Sequence, residues 1–177
     1  MIGIKKPGAD SQIIIGDGCD IGSYAIIENN VFIGANFHMD HRCCIYDGTV
    51  VGDNVRLLYK ATIYSDCRIG NGCIICNDLP ERVFLHDRVT FMGRIAHSYR
   101  DATLPWDSTI EPSPVIGEGT VIGEQALIIG DITIGDNCYV GAGETLRYDL
   151  PSNSVFLKNE IYPIEYFKGL IKTRYFE

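Results

Sequence analysis

No stretch of this sequence approaches the roughly 20 consecutive apolar residues that a membrane-spanning helix needs, so bilayer insertion is not expected. The opening Met1-Ile2-Gly3-Ile4-Lys5-Lys6 lacks the apolar segment of a secretion signal, and a cytoplasmic protein is the expectation. Basic residues are scarce, 15 Lys and Arg against 23 Asp and Glu, for a formal charge of −8. Phosphate recognition needs a clustered basic surface, so this balance excludes a general nucleic-acid binder. Any anionic ligand has to find a local basic pocket. Disorder is excluded as well, because 46% of the 177 residues are hydrophobic and only 21% charged, which suits one globular domain.

Helical periodicity is missing too, and a period of six stands in its place. Stepping by six from Ile15 reaches Ile21, Ile27, Ile33, Met39, Ile45, Val51, Leu57, Ile63, Ile69 and Ile75, and from Ile116 it reaches Ile122, Ile128, Ile134, Val140 and Leu146. Glycine often follows directly, as at Gly16, Gly34, Gly52, Gly70, Gly117 and Gly135. Four positions after each aliphatic residue stands a mostly small one, such as Ala25, Val31, Thr49, Ala61, Thr120 and Ala126. A helix spaces apolar residues by three and four and a plain strand by two, so neither produces a strict six. A short strand followed by a tight corner does. Three such units close a triangular coil, and coils stacked at about 4.8 Å align the aliphatic residues in internal columns. The expected fold is therefore all-β, a single-stranded parallel β-helix over residues 1–159.

The seven cysteines fit the same plan. Cys19, Cys43, Cys67, Cys73 and Cys138 fall at the small inward position, where a thiol acts as a compact apolar group. Cys44 and Cys76 fall outside it. An odd number cannot all pair, and a reduced protein is the simpler reading.

Between Ile75 and Ile116 the register breaks, since that separation is not a multiple of six. Leu85, Val89, Phe91 and Ile95 read as coil positions lying between two excursions, near 77–84 and 96–114. Loops held by a rigid scaffold are where function concentrates. The second excursion holds His97, Tyr99, Arg100, Asp101 and Trp106, the chain's one tryptophan.

The run His97-Ser98-Tyr99-Arg100-Asp101, then Pro105, then Pro114-Val115-Ile116-Gly117 resembles the extruded loop and restart of left-handed β-helix sugar O-acetyltransferases. Ile134-Gly135-Asp136-Asn137, Val140-Gly141-Ala142-Gly143 and Asp149-Leu150-Pro151 resemble the coil which that family sets beside coenzyme A. Asn77-Asp78-Leu79-Pro80 is similar to the Asn-Asp turn of nucleotide-sugar N-acetyltransferases. The family pattern is departed from at three places: Ile95 replaces the first histidine of His-x-His, Tyr148 replaces a lysine, and Lys158-Asn159-Glu160-Ile161 stands for Gly-Asn-Pro-Ala with only Asn159 matching.

The resemblance implies left-handed winding, an acetyl-CoA donor, a sugar or nucleotide-sugar acceptor in surface-polysaccharide synthesis, and a cyclic homotrimer. Acyl transfer from a thioester needs a base and oxyanion donors but no metal, and none is expected. His97, oriented by Asp101, is the candidate base. Ala126, Gly141 and Ala142 are candidates for contact with the thioester and pantetheine, Arg147 and Lys158 for the coenzyme phosphates, and Asn77, Asp78, Tyr99 and Trp106 for the acceptor. Two other readings compete. His38-Met39-Asp40-His41 opens a γ-carbonic-anhydrase-like zinc site, although the His pair five apart of that family is missing, and β-helices also serve as non-catalytic scaffolds. The tail 160–177 puts Ile164, Phe167, Leu170, Ile171 and Tyr175 on one helical face, so a helical cap is expected there.

Overall fold

The computed structural model describes residues 12–97 and 112–167, which form a parallel β-solenoid of about seven turns, wound left-handed and closed by an antiparallel hairpin and a 3-10 turn. Its strands are two to four residues long and stack into three faces. The first face runs from Ile13–Ile15 through Val31–Ile33, Val50–Val51, Arg68–Ile69, Phe84–Leu85 and Val115–Ile116 to Thr133–Ile134. The second runs from Asp20–Ile21 through His38–Met39, Arg56–Leu57, Ile74–Ile75, Thr90–Phe91, Val121–Ile122 and Tyr139–Val140 to the closing hairpin Ser154–Leu157 and Glu160–Pro163. The third is split into two ladders, Ile26–Ile27, Cys44–Ile45 and Thr62–Ile63, then Arg94–Ala96, Leu127–Ile129 and Thr145–Leu146.

Both inward columns are as expected. From Ile27 onward every aliphatic member is buried, and so is every small member from Ala25 onward. The two-residue strands alternate outward and inward, so one side chain of each rung fills the prism while its neighbour faces out. Cys43, Cys67, Cys73 and Cys138 are buried, whereas Cys19, Cys44 and Cys76 are partly exposed. Cys73 and Cys76 have Cys-x-x-Cys spacing, but the first fills the interior and the second faces outward, and all seven thiols are free. Burial pushes the thiols of Cys67 and Cys73 up to about 12.

The corners explain the glycines. A Cβ on Gly34 would stand 2.2 Å from Asp53 Oδ1, the atom that accepts the Ala35 N–H at 2.7 Å. The same bond recurs from Asp53 N–H to Asn71, from Asn71 N–H to Asp87, and from Glu118 N–H to Asp136. An Asx ladder thus ties coil to coil along this edge, and glycine leaves room for it. One residue in most corners takes a left-handed φ, including Asn36, Asn54, Gln125 and Asn137.

Most coils take eighteen residues, as in the Val51 to Ile69 pairing, but Ile69 pairs with Leu85 only sixteen residues on. This corrects the first expected excursion, at 77–84. The chain does not leave the coil there: Leu79 is buried and bridges Ile63, and Val83 is buried as well. The register breaks because the corner between Ile75 and Leu79 is two residues shorter. Asp78 makes the tight corner possible by accepting the Thr62 N–H at 3.0 Å. The same Asp-Leu-Pro device recurs at 149–151, where Asp149 accepts the Thr133 N–H at 2.8 Å and Leu150 bridges Ile134. Strand pairing stops at Ala96 and resumes at Val115, and residues 98–111 of the expected second excursion lie outside the described residues.

The cap also differs from expectation. Residues 160–163 form a strand antiparallel to Ser154–Leu157, followed by a 3-10 turn at Ile164–Phe167, and the rest of the expected helix lies outside the described residues. Lys158 and Asn159 both take positive φ, as a two-residue type I′ hairpin requires. The Glu144 carboxylate accepts both of their N–H groups, at 2.7 and 3.2 Å. The open edge of the last coil offers backbone partners that a helix could not use, and the hairpin satisfies them.

Candidate functional site

Two short corners build a recess. The steps from Ile75 to Leu79 and from Phe91 to Ile95 each take four residues instead of six, and the strands before them, Ile74–Ile75 and Thr90–Phe91, are neighbours in the second face. The two tight corners therefore stack on the same edge. The corners on either side, 58–61 and 123–126, keep full length and project past them. Between these projecting lips lies a groove of 1040 Å³ that opens onto the split in the third face.

Asn77 fastens the floor by donating Nδ2–H to the Met92 carbonyl at 2.6 Å. Arg94 N–H donates to the Ala126 carbonyl at 2.7 Å, which locks the second short corner under the projecting one. Gly93 permits this approach, since a Cβ there would meet Ala126 O and Ile122 Cγ2, both at 2.6 Å. One lip carries Tyr59, 52% exposed, with the Lys60 ammonium 5.1 Å from its ring centroid. Tyr64 adds a second aromatic wall, stacked on Tyr46 at 5.2 Å. The other lip carries Glu124 and Gln125. Arg94 and Glu124 form no ion pair among the described residues, so the groove presents two cations, Lys60 over the Tyr59 ring and Arg94, and two carboxylates, Asp78 and Glu124. Burial, reinforced by the Glu124 charge, raises the Cys76 thiol above its ordinary range and keeps it a neutral wall group.

The structure joins some of the sequence candidates and separates others. Asn77 and Asp78 line the groove, though each also holds the scaffold. Ala126, Gly141 and Ala142 lie on the same edge one and two coils further on. Ala126 is fully buried and its N–H already donates to Gly123 O at 3.1 Å, while the Gly141 N–H donates to Phe156 O at 2.9 Å. These two amides donate within the fold. Ala142 is exposed at its corner. Arg147 and Lys158 are exposed beyond it, with Lys158 on the hairpin turn. His97 follows Ala96 at the opposite margin of the third face and is not a groove-lining residue; its Nδ1 is buried without a hydrogen-bond partner. Tyr99, Asp101 and Trp106 lie outside the described residues.

Tyr59, Lys60, Tyr64, Cys76, Arg94 and Glu124 were missed by sequence reasoning. The available signal was the pair of four-residue steps inside a six-residue period. The histidine cluster is occupied otherwise: His38 sits between Asp20 at 3.2 Å and Asp40 at 3.5 Å, and His41 Nδ1 accepts the Ser23 N–H at 2.8 Å. Among the described residues no three His, Cys, Asp or Glu side chains are grouped to hold a metal.

Comparison with known proteins places the repeat. A family described as bacterial transferase hexapeptide (six repeats) matches residues 113–143, and the hexapeptide repeat of succinyl-transferase matches residues 24–57. The bifunctional protein GlmU of Nostoc sp. is 28% identical over 155 residues, covering 81% of this chain and 34% of that protein. The chain thus spans about a third of the length of the curated relatives it matches. Among solved structures, the N-acyltransferase AntD of Bacillus cereus, in complex with dTDP-4-amino-4,6-dideoxyglucose and coenzyme A, superposes with a TM-score of 0.53 at 16% identity, over 84% of this chain and 80% of that one. The polySia-specific acetyltransferase NeuO superposes with a TM-score of 0.52 at 12% identity, over 85% of this chain and 81% of that one. These likenesses establish the fold.

Proposed function

We propose that this hexapeptide-repeat protein is an acyl-CoA-dependent acyltransferase, moving an acetyl group from acetyl-CoA to a hydroxyl or amine of a sugar or nucleotide-linked sugar. One observation carries the reading. The repeat of the bacterial transferases is interrupted by two stacked short corners, which open a polar, aromatic-walled groove on the edge that continues into the corners at 123–126 and 141–144. A polar recess with convergent charged groups and aromatic walls is what a small-molecule site requires. A scaffold needs no such interruption.

In this reading the acceptor occupies the recess, with Asn77 and Asp78 on its floor and Lys60 and Arg94 as cations for an anionic acceptor. The donor lies along the following corners, where the residues present fit it in part. Ala142 offers an open corner, Lys158 is an exposed cation on the hairpin turn held by Glu144 of that corner, and Arg147 is an exposed cation at the other margin of the third face, both suited to phosphate. Bound acetyl-CoA supplies the activated thioester. AntD, of the same fold, is a protein bound to coenzyme A and a nucleotide-linked amino sugar. The proposal includes a cytoplasmic homotrimer.

The test is thiol release from acetyl-CoA against a panel of sugars, nucleotide-linked sugars and nucleotide-linked amino sugars. Acceptor-dependent release is expected. A melting temperature raised by zinc but not by acetyl-CoA would favour the zinc reading, and a response to neither would favour a scaffold. Light scattering should give a trimer.

A further inference from the structure

Among the described residues, the groove contains an unengaged carboxylate and no imidazole. Glu124 projects from the full-length corner over the two short ones and lines the recess, and its carboxylate makes no hydrogen bond or ion pair among the described residues. Asp78, the other groove carboxylate, already accepts the Thr62 N–H. Arg94, on the short corner next to that of Glu124, likewise forms no ion pair among the described residues, so no cation is paired with Glu124. Its negative charge reaches the groove interior, where it bears on the Cys76 thiol. His97, the histidine that sequence reasoning selects as base, stands outside the lining.

Resting on the acyltransferase reading, we propose that Glu124 holds the acceptor nitrogen and takes its proton, which makes the acceptor of this groove an amine and not a hydroxyl.

The chemistry decides between the two acceptors. A carboxylate is a weak base and an amine makes the smaller demand on it: a hydroxyl has to give up its proton as it attacks, whereas an amine attacks first and loses its proton afterwards, from a far more acidic adduct. The amine lone pair forms the C–N bond at the thioester carbonyl, and the carbonyl π electrons move to oxygen. The nitrogen, now positively charged, gives one proton to the Glu124 carboxylate. Collapse of the oxyanion re-forms the carbonyl and breaks the C–S bond, and the sulfur leaves with that electron pair. Glu124 then returns its proton to the thiolate. The sum is amine plus acyl-CoA giving amide plus free thiol, with the carboxylate regenerated. Glu124 also attracts the ammonium form of the acceptor into the recess.

Glu124→Gln keeps the shape and removes the charge. It is expected to lower kcat on an amino-sugar acceptor by about 10² to 10⁴ while leaving acetyl-CoA affinity unchanged. It should also shift alkylation of Cys76 to lower pH, a readout independent of catalysis, which reports both an intact groove and the lost charge. Glu124→Ala should regain part of its rate with added formate, which a merely structural role would not allow. Wild-type release of thiol that persists unchanged in Glu124→Gln overturns the assignment alone, as does acetylation of hydroxyl acceptors in preference to amines. Absence of thiol release from the wild type with every acceptor overturns the acyltransferase reading, and this assignment with it.

Discussion

Replacing Gly93 by alanine tests how the groove is built. The added methyl would stand 2.6 Å from both the Ala126 carbonyl oxygen and Ile122 Cγ2, and 3.3 Å from Gly123 O. None of these is the free end of a flexible side chain. Two are backbone atoms of the corner above, and Ile122 is fully buried. Overpacking of this kind costs about 1–3 kcal/mol, and separating the corners also weakens the 2.7 Å bond from Arg94 N–H to Ala126 O, worth about 1 kcal/mol. The sum is about 2–4 kcal/mol, or a fall of about 5–15 °C in Tm for a chain of this size. Gly72→Asn is the matched contrast. Gly72 has φ +67°, and a methyl added there would lie 3.5 Å from its nearest neighbour, Arg88 Cγ, so this glycine answers a conformational need alone. Asparagine meets that need at equivalent corners, at Asn36, Asn54 and Asn137, and the change should cost less than about 0.5 kcal/mol. Urea unfolding followed by circular dichroism measures both. A Gly93→Ala protein within about 1 kcal/mol of wild type, or a Gly72→Asn protein equally damaged, would refute the two-short-corner account.

Other expected outcomes concern the thiols, the cap and the ligand sites. Native alkylation at pH 8 should spare Cys67 and Cys73, whose thiols are pushed up to about 12 against an ordinary value of 9.0, while the partly exposed Cys19, Cys44 and Cys76 react first; rapid labelling of four or more thiols would contradict the register. Because these folded values are raised, the unfolded chain loses thiol protons first, so their contribution to stability is fully present below pH 9 and is lost between 9 and about 12, which urea midpoints across that range will show. Glu144→Ala removes the acceptor of two hairpin amides, and should cost about 1–3 kcal/mol by the same assay. Arg147→Ala and Lys158→Ala together should weaken acetyl-CoA binding at least about tenfold in calorimetry, as loss of charge-assisted bonds to phosphate implies; unchanged binding would move the donor site elsewhere. His97→Ala should leave Tm unchanged, and its kcat shows whether the loop histidine contributes to proton transfer.

The solenoid was legible because its rule is local. Whether Ile63 points inward depends on six-residue spacing and on small Ala61 and Cys67 beside it, all visible in the chain, and the cysteine positions followed from the same count. The excursion expected at 77–84 failed because a register break does not say whether residues were added or removed. Leu79 read as one more small-column member, and only its bridge to Ile63 shows that it begins the next face after a corner of reduced length. Residues 160–163 of the tail were misread for a related reason. Helical spacing from Ile164 onward is a local pattern, but the fate of 160–163 depended on the unpaired edge of Ser154–Leu157, which exists only once the coils are stacked.

The sequence by itself therefore determined the repeat, the inward columns and the balance of charge, since each is a property of residues within a few positions of one another. Tertiary structure alone decided that two tight corners sixteen residues apart lie one above the other, bringing Lys60, Asn77, Arg94 and Glu124 to a single recess. That outcome depends on the summed length of every corner in a coil, and no single segment carries the sum.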